Sequence, residues 1–124
     1  MLNYLKNEYA EYIQHDGIVC ITYKNGISIN LDAAVKIVED RLLFQEGDPF
    51  PVLCDIRGVR EVDKSARDYL AMEGSLLIKA VAFIVEPPLS EILSKFYLKT
   101  SNPPIPTELF TENSEAMNFL NKYL

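Results

Sequence analysis

Residues 50–70, FPVLCDIRGVREVDKSARDYL, read as a strand, a turn, a helix cap and a helix in one continuous stretch. Residues 51–56 are a short apolar run with Pro49 before it and Gly58 after it. A run of that length between turn signals predicts a strand buried on both faces. Val52 and Cys54 then point to one side and Leu53 to the other, with Asp55 at the carboxyl end. After Arg57, Gly58 allows a change of direction, because glycine accepts backbone angles that other residues resist. Val59 and Val62 stand as apolar anchors around Arg60 and Glu61. Asp63 is an expected N-cap, its carboxylate taking the amide of Ser65 or Ala66. The helix behind it shows apolar positions at Ala66, Tyr69 and Leu70, with Leu77 beyond Gly74.

On the amino-terminal side, residues 8–14 alternate loosely and predict a first strand. Asp16-Gly17 makes a tight turn, and the β-branched run at residues 18–23 predicts a second strand, so the two form a hairpin. Residues 26–29 read as a short extension or a third strand. Asn30 caps a helix with Leu31, Ala34, Val35, Val38 and Leu42 as one apolar stripe and Lys36, Glu39 and Asp40 on the wet side. Gln45 to Pro49, with Gly47 and Pro49, ends it.

On the carboxyl-terminal side, residues 79–85 are a second interior strand, stopped by Glu86-Pro87-Pro88. Leu89, Ile92, Leu93, Phe96 and Tyr97 have helical spacing and are expected to pack on the core. A rigid loop at 100–106 leads to a short strand at 107–110. Thr111 is expected to cap a last helix, with Ala116, Met117, Leu120 and Leu124 as its stripe. Strands alternating with helices after an initial hairpin imply an α/β fold, a mixed sheet covered by about four helices in one domain over residues 1–124.

The run Asp55-Ile56-Arg57-Gly58-Val59-Arg60-Glu61-Val62-Asp63-Lys64-Ser65-Ala66 resembles the signature of the STAS superfamily, the anti-sigma-factor antagonist fold. That signature reads Asp-apolar-Ser-Gly-Val-x-x-apolar-Asp-Ser-Ser-Gly. Asp55, Gly58, Val59, Val62, Asp63 and Ser65 match in register, and the order of elements follows the STAS fold nearly end to end. Small stand-alone bacterial STAS-like proteins are similar. In antagonists of the family the second serine of Asp-Ser-Ser-Gly is phosphorylated by a partner kinase. By position that residue is Ser65, although Lys64 replaces the first serine and Ala66 the glycine.

The chain has 124 residues and a net charge of −6, and 48% of it is hydrophobic. That is enough for one sizeable core. An acidic balance without a Lys/Arg run disfavours nucleic acid and anionic membrane as partners. No stretch reaches transmembrane length, and residues 1–6 lack a signal-peptide pattern, so the expected location is the cytoplasm, with no stable membrane insertion. Cys20 and Cys54 lie in apolar runs and are expected to be buried thiols acting as small hydrophobes. His15, the one histidine, precedes Asp16-Gly17 and is expected in an exposed turn. No metal site is predicted. The nucleotide-loop, dinucleotide and HExxH motifs are absent, so no cofactor is expected.

The leading expectation is therefore a non-enzymatic regulatory module that docks a protein partner, a kinase-like regulator among them. Its face is Asp55, Arg57, Asp63, Lys64, Arg67 and Tyr69, with Ser65 as the phosphorylation candidate. A phosphate on Ser65 would meet free amides and the positive end of the helix, with Lys64 and Arg67 near. The alternative is a small-molecule or lipid carrier with an apolar groove at Tyr69, Met72, Phe96 and Tyr97. A third reading is an enzyme with a carboxylate site near Asp55. Exposed strand edges or the Phe96–Tyr97 surface would support a homodimer.

Overall fold

In the computed structural model, which describes residues 3–124, the chain runs through β1 (Tyr4–Lys6), β2 (Ala10–His15), β3 (Ile18–Tyr23), β4 (Ile27–Ile29) and α1 (Leu31–Gln45). It continues through β5 (Phe50–Asp55), β6 (Val59–Val62), α2 (Lys64–Met72), a 3-10 turn (Glu73–Ser75), β7 (Ile78–Ile84), α3 (Leu89–Ser101), β8 (Thr107–Phe110) and α4 (Asn113–Asn121). Met1 and Leu2, part of the stretch read for a targeting signal, lie outside the described residues.

Asp16 and Gly17 take φ of 52° and 80°, the pair of left-handed angles that closes a two-residue hairpin between β2 and β3. β1, which the loose amino-terminal pattern does not announce, adds antiparallel to β2. The first unit is thus a three-stranded meander. From β3 onward the neighbours are parallel, and the sheet order is β1-β2-β3-β5-β7-β8. β4 and β6 pair in parallel as a separate two-stranded ribbon. The anchors Val59 and Val62 are therefore strand residues, and the 26–29 segment pairs with them rather than extending the hairpin.

Parallel strands that advance in one direction, joined by right-handed crossovers, put every crossover helix on the same face. Phe44 of α1 packs there with Tyr12, Val52, Cys54 and Val81, and Tyr97 of α3 meets Phe83 edge-on at 6.0 Å between ring centres. α4 follows the last strand and covers the opposite face, where Ala116, Phe119 and Leu120 pack on Ile18, Leu53, Ala80, Ala82 and Ile84. Burying side chains the size of Phe119 and Leu120 is worth about 1.5–3 kcal/mol each. The expected alternation of Val52 and Cys54 against Leu53 is present.

Three helices sharing one face shifts which residues each of them buries. α1 buries Ala33, Ala34, Ile37, Val38, Arg41, Phe44 and Gln45, a stripe turned from the expected one, while Leu31 is exposed and Asp40 is buried. α3 seats Ser90 and Ser94 against its neighbours, turns Leu93 and Tyr97 partly inward, and leaves Leu89, Ile92 and Phe96 exposed. The expectation that all five apolar residues of α3 pack on the core is therefore corrected. Small serines let the helix approach, and the bulky residues take the outer side. α4 starts at Asn113 behind Glu112, which makes no side-chain cap bond, so Thr111 is not its cap. Leu124 of the expected stripe is exposed.

Candidate functional site

Asp63 accepts the Ala66 amide at 2.9 Å and so fixes the start of α2. Replacing it with alanine removes that cap, and Asp63→Ala should lower stability by about 1 kcal/mol in chemical denaturation. Ser65 is exposed in the first turn behind this cap. Its expected cationic neighbours are already engaged: Lys64 pairs with Asp68 at 2.8 Å, and Arg67 donates to the Val62 carbonyl at 2.6 Å. The Arg67 guanidinium also lies 4.9 Å from the centre of the exposed Phe96 ring, which ties α2 to α3.

Asp55 and Arg57 form a pair of their own at the end of β5. The Arg57 backbone amide and side-chain Nε both donate to Asp55 Oδ1, and Nη2 donates to Oδ2 at 2.7 Å. Partial burial disfavours the charged carboxylate, but the side-chain and backbone bonds from Arg57 outweigh it, and the Asp55 pKa lies below its ordinary value. A general base tuned for neutral pH needs a shift in the other direction. His15 is exposed and sits 3.2 Å from Asp16. Cys20 faces the α4 side and Cys54 the α1 side, both as free thiols. Among the described residues no group of three metal-ligating side chains gathers, and no helix is long and apolar enough to cross a membrane.

A concave feature lies deeper, between the sheet and the three crossover helices. It is a cavity of about 120 Å³. Its floor comes from Ile21, Cys54, Val81 and Phe83, its walls from Ile37, Val38 and Leu70, and its far side from Leu93, Ser94 and Tyr97. Of the four expected groove residues Tyr97 lines it. Tyr69 packs instead against the β4–β6 and α1 cluster, and Met72 and Phe96 face solvent. Phe96 and Tyr97 thus do not share one surface. Burial raises the Tyr97 phenol pKa well above the ordinary value and pushes the Cys54 thiol up to about 12. Both are neutral walls near pH 7.

Among the described residues, one charged side chain lines this cavity. Arg41 is 2% exposed. Its Nη1 donates to Gln45 Oε1 and its Nη2 to the Gly74 carbonyl at 3.2 Å. Gln45 in turn donates from Nε2 to the Asp48 and Leu77 carbonyls, each at 2.9 Å. The chain Gly74–Arg41–Gln45–Leu77 fastens the end of α1 to the segment before β7. Asp40, expected on the wet side, is buried beside Arg41, which sequence reasoning did not single out. The signal was its position, at the helical spacing of Ile37, Val38, Phe44 and Gln45.

Comparison with solved structures agrees with the STAS-like reading of the fold. An uncharacterised protein of the DUF3478 family from Shewanella loihica PV-4, described as having a SpoIIAA-like fold, superposes with a TM-score of 0.65. The match covers 94% of this chain and 98% of that one at 13% identity, a level that speaks for the fold alone. No curated protein matches. A family model described as a domain of unknown function, DUF7793, matches residues 12–124, and the chain belongs to that family.

Proposed function

We propose that this STAS-like chain is a non-enzymatic binding module that holds a small apolar molecule between its sheet and the helices α1, α2 and α3. The cavity carries this reading. A cavity of about 150 Å³ with apolar walls is enough to hold a benzene-sized guest, and the space here is of that order, with mostly apolar lining. Support comes from its lining, in which Tyr97 and Leu93 of α3 stand with Ile37 and Val38 of α1. Toluene is a suitable neutral probe. At ten times its Kd it should stabilise the protein by about 1.4 kcal/mol through mass action, read as a rise in melting temperature of about 5 °C. Amide shifts should concentrate at Ile37, Val38, Leu93 and Tyr97. No stabilisation, or shifts confined to the outer residues Ile92 and Phe96, would overturn the reading.

A second reading, a cytoplasmic regulatory module docking a protein partner, is favoured by the exposure of Ser65 behind the Asp63 cap. Beside it run the outward residues Leu89, Ile92 and Phe96. Protein isolated from its own cells should then carry a phosphoryl group on Ser65, and Ser65→Asp should weaken capture of a co-purifying partner while Ser65→Ala preserves it. Equal capture by both variants, with Ser65 unmodified, would rule this reading out.

A further inference from the structure

Arg41 presents a buried charge without a counter-charge. No carboxylate lies within ion-pair distance of it among the described residues. Asp40, its neighbour in sequence, is taken by Asn7 at 2.8 Å and Lys36 at 3.2 Å. A guanidinium carries more N–H donors than the Gln45 and Gly74 oxygens use. Burial lowers its pKa from the ordinary value, yet an arginine side chain keeps its charge inside proteins. An unpaired ion held away from water is costly unless an anion completes it. A second polar group points the same way. The Ser94 hydroxyl is buried, lines the same cavity and has no hydrogen-bond partner among the described residues.

We infer that the cavity takes a small monocarboxylate, with its carboxylate on Arg41 and Ser94 and its apolar body against Ile37, Val38, Val81 and Leu93. This inference rests on the apolar-guest reading and adds the headgroup. The planar fork of a guanidinium matches the two oxygens of a carboxylate. One cation among apolar walls suits a single negative charge. A phosphate monoester would bring more charge and more acceptor oxygens than Arg41 and Ser94 answer, into a space of about 120 Å³.

The test compares phenylacetate with its neutral isostere phenylacetamide by isothermal titration on the full chain, with amide shifts locating each probe. Wild-type protein should bind phenylacetate at least tenfold more tightly. Arg41→Met should erase that preference, and Arg41→Lys should retain part of it. Ser94→Ala should reduce phenylacetate affinity several-fold. The wild-type comparison stands even if Arg41→Met fails to fold. Equal wild-type affinities, with shifts in the cavity, would overturn the carboxylate assignment and leave the apolar-guest reading intact. Toluene binding without binding of either phenyl probe would also overturn the assignment alone. Failure of all three probes would overturn both.

Discussion

Gln45→Leu should destabilise the protein by about 3–5 kcal/mol, although the replacement has similar volume and is more apolar. Gln45 is fully buried and bonds in three directions, to Arg41, Asp48 and Leu77. The Leu77 carbonyl keeps a bond from the Phe50 amide at 3.1 Å. The Gln45 partners on Asp48 and Arg41 would lose theirs, and each stranded group costs about 1–3 kcal/mol, more where it is charged. Leu77 itself has φ of 59°, a left-handed angle that a bulky residue resists. Loss of the bond to Gln45 frees this segment to relax. Gln45→Glu is the informative contrast. It keeps an acceptor for Arg41 but sets a carboxylate against two carbonyls, so it should also destabilise. Urea unfolding measures both, and a loss below about 1 kcal/mol in Gln45→Leu would show that water reaches these groups.

Gly58→Ala should cost about 2–3 kcal/mol. A methyl group at this position would lie 2.8 Å from the Lys24 carbonyl oxygen and 2.9 Å from Asn25 Cα. Both are backbone atoms, so no side chain can swing aside. The Gly26 amide donates to the Gly58 carbonyl at 2.6 Å, which clamps the turn after β3 onto the start of β6. The Gly58 φ is not among the left-handed ones, so glycine is required here for closeness and not for conformational freedom. Unfolding midpoints within 0.5 kcal/mol of wild type, taking that as about the scatter of harmless surface changes, would show that the two turns can part.

That distinction marks where the sequence stopped being informative. Gly58 was legible as a fixed point, but the reason for it lies in Lys24 and Asn25, far away in the chain. The same holds for the ribbon of β4 and β6. Val59 and Val62 stood out as apolar, but pairing with Ile27 and Ile29 is a long-range event that no local pattern reports.

Local chemistry alone determined the Asp16-Gly17 hairpin, the Asn30 and Asp63 caps, the interior strands β5 and β7, the short β8 and the STAS-like order of elements. Each depends on neighbours within a few residues, where turn angles, cap bonds and apolar period act directly. Tertiary structure alone decided the buried face of α1, the outward stripe of α3 and the cavity with Arg41 at its wall. Those depend on how three helices divide one face of a sheet. A helical period says that a face exists but not which neighbour it meets, and a residue's charge does not reveal that packing has sealed it from water.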